Sequence, residues 1–286
     1  MTRRLLLALV AALTLVAVTA GVVPAQEEEA TTPALEIELA PNRVTVGGAA
    51  GVVASGPTRL EFRNTSRRAP ASASVVALKD GVTLAEFRRG LARANRGPGP
   101  LKALADFEAG GGLAPGGRYV TTVTLKADTT YIIANSAGDD ATKFPLRTFT
   151  TGQTPGSGTL PEPDATVELY DYAFGMPATV SRNSTIRFEN KGERLHIAVA
   201  VPVRRGASRV GAVRAFLTNN ERNINRLTDA RRSTEALGIV SGETTNDVEF
   251  RFPRAGDWLF VCFIGDGERG NPSHNTLGMV KAFRVR

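Results

Sequence analysis

Two histidines and one cysteine are all the imidazole and thiol in the 286 residues, and they fall in the last third: His196, Cys262 and His274, with Met279 five residues further on. Two imidazoles, a thiolate and a weak thioether make the donor set of a mononuclear blue-copper site, where the thiolate is the strong donor and the thioether tunes the potential. Taken singly, each residue has a plainer reading. A lone cysteine is an inert core thiol, a lone histidine is a satisfied strand residue, and a lone methionine is core filler. The joint pattern favours ligation by His196, Cys262, His274 and Met279. Met176, in Gly175-Met-Pro177, is the other thioether that could be axial, but it reads better as packing.

The same scarcity excludes other chemistry. A trinuclear copper cluster needs many histidines, and two cannot supply one. No Gly-x-Ser-x-Gly element is present for a hydrolase. The runs Ala109–Leu113 and Ala114–Gly117 are glycine-rich, but no Lys-Ser/Thr follows, so they read as turns and not as a phosphate loop. The expectation is a protein that is not an enzyme. A single cysteine forms no internal disulfide, and outside the cell a free thiol is open to oxidation, which ligation would prevent.

Arg3 and Arg4 precede an apolar run from Leu5 to Val18, followed by Ala20 and Ala25 as cleavage points. Residues 1–25 read as a secretory signal peptide. The run is short for a membrane span of roughly 20 residues, so an uncleaved anchor is the weaker reading, and no integral membrane segment is expected after cleavage. The Ala/Arg/Gly/Val-rich composition looks bacterial, which places the protein outside the cytoplasm, secreted or in the periplasm or cell envelope. The Asn-x-Ser/Thr sequons at Asn64 and Asn183 would matter only in a eukaryote. The formal charge is +7, and loss of Arg3 and Arg4 with the signal leaves +5. The basic residues are scattered or paired, which suits a soluble surface with some steering toward an acidic partner. No nucleic-acid motif is present.

The chain reads as two copies of one unit. Thr58-Arg-Leu-Glu-Phe-Arg-Asn64 matches Ser184-Thr-Ile-Arg-Phe-Glu-Asn190, and Ser74–Gly81 matches Ala198–Gly206. A helical run follows each, Leu84–Ala94 and Val210–Asn220. Three strands then close each half: Tyr119–Leu125, Thr130–Ile133 and Phe144–Phe149 against Val248–Phe252, Trp258–Ile264 and Val280–Val285. Alternation such as Val248, Phe250 and Phe252 against Glu249 and Arg251 suits antiparallel sheets with one face in a core and one in water. Trp258–Ile264 is apolar throughout and reads as a central strand buried on both sides. Glu221–Leu237 reads as a helix-loop. Residues 152–164, rich in Gly and Pro, read as a linker between domains at 33–151 and 165–286.

The second half resembles the cupredoxins, the plastocyanin/azurin-like family. Phe188-Glu-Asn190 followed by His196 is similar to the segment with that family's first ligand, and Trp258-Leu-Phe-Val-Cys262 to its penultimate strand. His274-Asn-Thr-Leu-Gly-Met279 has the family's His-x4-Met spacing. Tyr170-Asp-Tyr-Ala-Phe-Gly-Met-Pro177 and the C-terminal His274–Phe283 resemble a bacterial exported subgroup. There are two departures. Eleven residues separate Cys262 from His274, more than in small electron-transfer members; larger relatives such as copper nitrite reductases also have longer spacings. Ile197 follows His196 where many members have a polar residue that braces the site.

The resemblance implies an all-β protein of two tandem cupredoxin-like Greek-key β-sandwiches, each with a helical insertion. It also implies one type 1 copper in the second, and one-electron exchange with a redox partner protein. The first half has no His, Cys or Met within 33–151; Pro70 or Ala71 stands at the place of His196 and Ala134 or Asn135 at that of Cys262, so it resembles a degenerate copy. The alternative function is a metal-free cupredoxin-like interaction module of the cell envelope.

Overall fold

The computed structural model describes residues 32–47, 52–93, 99–138, 140–229, 237–267 and 270–286. The expected signal peptide lies outside the described residues, as do 230–236 of the expected helix-loop.

The first half runs β1 (Ala34–Ala40), β2 (Arg43–Val46), β3 (Val52–Asn64), β4 (Ala71–Leu78), α1 (Leu84–Arg93), α2 (Gly99–Lys102), β5 (Ala105–Leu113), β6 (Arg118–Leu125), β7 (Thr130–Asn135) and β8 (Leu146–Pro155). The second runs β9 (Ala165–Tyr170), β10 (Ala173–Gly175), β11 (Thr179–Val180), β12 (Asn183–Asn190), β13 (His196–Pro202), α3 (Arg209–Leu217), α4 (Glu221–Leu227), β14 (Gly238–Val240), β15 (Thr245–Arg251), β16 (Gly256–Val261) and β17 (Val280–Val285). The pairings repeat. β1 lies parallel to β3 as β9 lies parallel to β12. β4 is flanked by β5 and β7 as β13 is flanked by β14 and β16. The chain is all-β, with two tandem sandwiches and a helical insertion after the matching strands β4 and β13.

The central strands are rich in apolar residues because both of their faces are covered, but β16 ends at Val261, short of the expected Ile264, and Phe263 beyond it is 46% exposed. In β16, Trp258 and Phe260 face the sandwich core, and Cys262 continues that face just past the strand. Leu259 and Val261 face outward, onto Ala212, Ala215 and Phe216 of α3 and Leu227 of α4. Likewise Val75 and Ala77 of β4 face the core while Val76 and Leu78 meet Phe87 of α1. The helices start where capping residues satisfy their free amides. The Ser208 hydroxyl accepts from Gly211 N, and Thr83 and Glu86 form a reciprocal pair.

Three expectations need correction. Ala109–Leu113 is not a turn: it lies within β5, paired to β4. Its glycines allow close packing, since a Cβ on Gly111 would lie 2.5 Å from the Tyr119 ring and one on Gly110 would lie 2.6 Å from Ile239. Gly152–Pro155 is not linker but the end of β8, with Pro155 opposite Ser55 of β3. The polar face of β15 does not all meet water. β6 pairs with β15, so one sheet runs through both halves, and Asp247 is buried, paired with Arg187 at 2.7 and 2.9 Å.

A second seam ties the outer sheets. Ser241 N donates to Phe107 O at 2.8 Å, Phe107 N donates to the Ser241 hydroxyl at 2.8 Å, and Tyr119 OH lies 3.0 Å from Leu237 O.

Candidate metal centre

His196 is the first residue of β13, and Cys262 follows the last residue of β16. These neighbouring strands pair Val199 with Val261, so the sheet itself brings the imidazole and the thiol to one end of the sandwich. His274 opens a short 3-10 helix, His274–Leu277, and Met279 stands immediately before β17. Backbone bonds tie this segment to the cysteine. His274 N donates to Ile264 O and Asn275 N to Cys262 O, both at 2.8 Å, while Cys262 N donates to Met279 O at 3.2 Å. Gly278 sits at φ +126°, a conformation that side chains resist, and a Cβ there would lie 3.1 Å from Tyr172 O.

His196, Cys262, His274 and Met279 are all buried, at 1% exposure or less. One donor atom from each of the first three lies within 4.8 Å of the others. Both imidazoles turn Nδ1 toward the sulfur, at 4.0 Å for His196 and 3.5 Å for His274. A trigonal plane with metal–nitrogen and metal–sulfur bonds near the zinc-site lengths of about 2.0 and 2.3 Å would set nitrogen and sulfur roughly 3.7 Å apart. Both nitrogen–sulfur distances are therefore close to those of a His2Cys site. Met279 belongs to the same hydrophobic core as Cys262, and Met176 packs at the partly buried edge of that core.

The protonation states suit a cation. Burial, with the neighbouring His274, pushes His196 down to about 4 against the pull of Asp171. Burial also lowers His274. Both rings are thus neutral donors at pH 7. Burial pushes the Cys262 thiol up to about 11, opposed by the backbone amides of Ile197 and Ile264. The Ile197 amide lies 3.5 Å from the sulfur. Those two N–H groups would stabilise a thiolate once a cation supplied the compensating charge.

Four residues that the donor types did not reveal surround the rings. The Asp171–Tyr172 hairpin loop between β9 and β10 places Tyr172 at φ +69°, unusual for a bulky residue. Its ring stands edge-on to His274 with centroids 5.2 Å apart. Asp171 Oδ1 lies 3.5 Å from His196 Nε2, a buried nitrogen without a hydrogen bond. Arg194 and Asp266 pair at 2.9 Å beside them. The motif Tyr170-Asp-Tyr172 was visible in the sequence, but nothing local showed where it would lie.

The first half fills the equivalent end differently. By register, Ala71 occupies the place of His196 and Asn135 that of Cys262. The buried Asn135 amide accepts from Ser72 N and donates to Ala40 O, both at 3.0 Å. A cleft of about 980 Å³ separates this half from the second, with Lys79, Asp106, Glu108 and Lys126 on one wall and Arg194, Asp266 and His274 on the other. His274 is thus the donor that borders open space.

No family model matches the chain, and no curated protein matches it. Solved structures do. Auracyanin A, a "blue" copper protein from the green thermophilic photosynthetic bacterium Chloroflexus aurantiacus, is 21% identical over 42% of this chain and 96% of its own, with a TM-score of 0.26. Dithionite-reduced auracyanin from Roseiflexus castenholzii is 18% identical over 42% and 94%, with a TM-score of 0.28. A multicopper oxidase from Pediococcus acidilactici is 12% identical over 89% of this chain and 59% of its own, with a TM-score of 0.28.

The second half carries the donor cluster, and the case for a metal rests on those donors and their distances. Among the described residues no helix is long and apolar enough to cross a membrane.

Proposed function

We propose that this is an exported copper protein that exchanges single electrons at one type 1 site, which His196, Cys262, His274 and Met279 would hold. The observation that supports this reading is the convergence of one nitrogen from each of two neutral imidazoles and one sulfur within 4.8 Å in a buried pocket. When bound, copper would supply a one-electron couple. The chain's part is to hold the donors still: two strands fix His196 and Cys262, and the backbone ladder from Cys262 to Asn275 and Met279 fixes the rest. Water is kept from the sulfur by burial, and His274 is the donor that lines the cleft.

In this reading the half at 165–286 holds the metal, the half at 33–151 is structural or presents a partner surface, and the protein is a carrier and not an enzyme. Both histidines of the chain are committed to one centre, which leaves no imidazole here for a second copper. The partner is a redox protein or small molecule that reaches the cleft.

The test is titration of the purified chain with Cu(II). The expected result is one copper per chain, an intense visible thiolate band, and loss of that band in Cys262→Ser. Colourless binding, or stoichiometric binding that survives Cys262→Ser, would reject the reading.

A further inference from the structure

The eleven residues between Cys262 and His274 are a long tether for a site that must stay rigid. The loop's two ends are drawn together at a bridge between Gly265 and Ser273, and Asp266 N donates to Pro272 O at 2.8 Å. Its anchor is the Asp266 carboxylate, whose side chain is fully buried. A buried charge is costly unless it is paired and hydrogen-bonded. Here Tyr172 OH donates to Oδ2 at 2.5 Å and Arg194 Nη1 donates to Oδ1 at 2.9 Å.

Arg194 stands two residues before His196, and its backbone is fixed as well, since Asn190 Nδ2 donates to Arg194 O at 2.6 Å. The guanidinium lies over the Tyr172 ring, 5.5 Å from its centroid, and its Nε is 3.9 Å from the Asp171 carboxylate that faces His196. One arginine thus joins the loop that delivers His274 to the strand that delivers His196. Ile197, beside His196, has no polar side-chain group that could do this.

We propose that Arg194 and Asp266 are positioning residues of the metal centre: their buried ion pair latches the Cys262–His274 loop to the segment entering β13, so both imidazoles keep their orientation whatever charge the site carries. This rests on the reading of the site as a metal centre, but the latch is also testable in the metal-free chain.

Full-length wild type would be compared with Asp266→Asn, Arg194→Gln, Arg194→Lys and the milder Tyr172→Phe, first without metal. The backbone amides of His274 and Asn275 report the ladder to Ile264 and Cys262. In Asp266→Asn and Arg194→Gln their hydrogen exchange is expected to be about tenfold faster, against little change at amides of the distant strands. Arg194→Lys should recover part of the protection. Exchange within about twofold of wild type in both variants would overturn the latch. If neither variant folds, Tyr172→Phe decides by the same comparison, having lost the hydrogen bond from Tyr172 OH to Asp266.

The copper forms give the second reading. The variants should show a weakened thiolate band and a mixed electron-spin-resonance signal, restored toward wild type by Arg194→Lys. A purely structural role would lower stability and leave that signature unchanged, which would overturn the proposal. Wild type that binds no copper would sink the metal reading alone, and the amide measurements would still decide the latch.

Discussion

Lowering the pH should destabilise the metal-free protein through His196. Its imidazole is fully buried, and burial together with His274 holds it down to about 4, whereas the unfolded chain titrates near 6.5. Because the folded value is the lower one, the unfolded state binds more protons below pH 6.5. This stability is present at pH 7 and is lost as the pH falls from about 6.5 toward 4. A difference of about 2.5 units is worth roughly 3 kcal/mol, nearly all of it spent by pH 4. The assay is urea unfolding at pH 7 and pH 4 for wild type and His196→Gln. Carboxylates also titrate over that range, so the deciding quantity is the difference between the two proteins' losses. Wild type should lose about 3 kcal/mol more than His196→Gln. Equal losses would mean that the imidazole reaches water and that the pocket is not the closed, neutral-donor site described above.

Two further outcomes follow from the same geometry. Because the Cys262 thiol is pushed up to about 11 and both histidines are already neutral, metal binding near pH 7 should release about one proton per ion. Calorimetry in buffers of different ionisation enthalpy measures this, and affinity should fall roughly tenfold per pH unit from 7 to 5. Gly111→Ala should cost about 1–3 kcal/mol in urea unfolding, because the new methyl lies 2.5 Å from the Tyr119 ring on the seam between the halves.

The donors were legible because their residue types are rare in this chain and their order is specific. The duplication was legible in paired segments such as Thr58–Asn64 and Ser184–Asn190, now β3 and β12. Leu84 and Val210 announced the two helical insertions, although α3 begins at Arg209 and ends at Leu217. What stayed hidden depends on partners far away in sequence. The glycines of β5 look like a turn until Tyr119 and Ile239 are packed against them. The β6–β15 pairing leaves no local mark, because Thr121 and Val248 would read the same in an edge strand. Asp171, Tyr172, Arg194 and Asp266 are ordinary surface types, and only the folded chain turns them into the surround of two imidazoles.

The duplicated fold also separates what the metal does from what the sheet does. Asn64 and Asn190 play one role in both halves, each donating to one carbonyl just beyond its strand and to another some 50 residues on, and accepting from the amide two residues on. That device does not depend on a donor cluster, since the first half keeps it with Ala71 and Asn135 in the ligand places. There the Asn135 amide closes the sandwich end with hydrogen bonds to Ser72 and Ala40. In the second half the corresponding sulfur cannot bridge strands in this way, and the loop beneath it is held by the Cys262–Asn275 ladder and the Arg194–Asp266 pair. The pocket is therefore assembled by the chain's own bonds, and a cation would enter a frame that already stands.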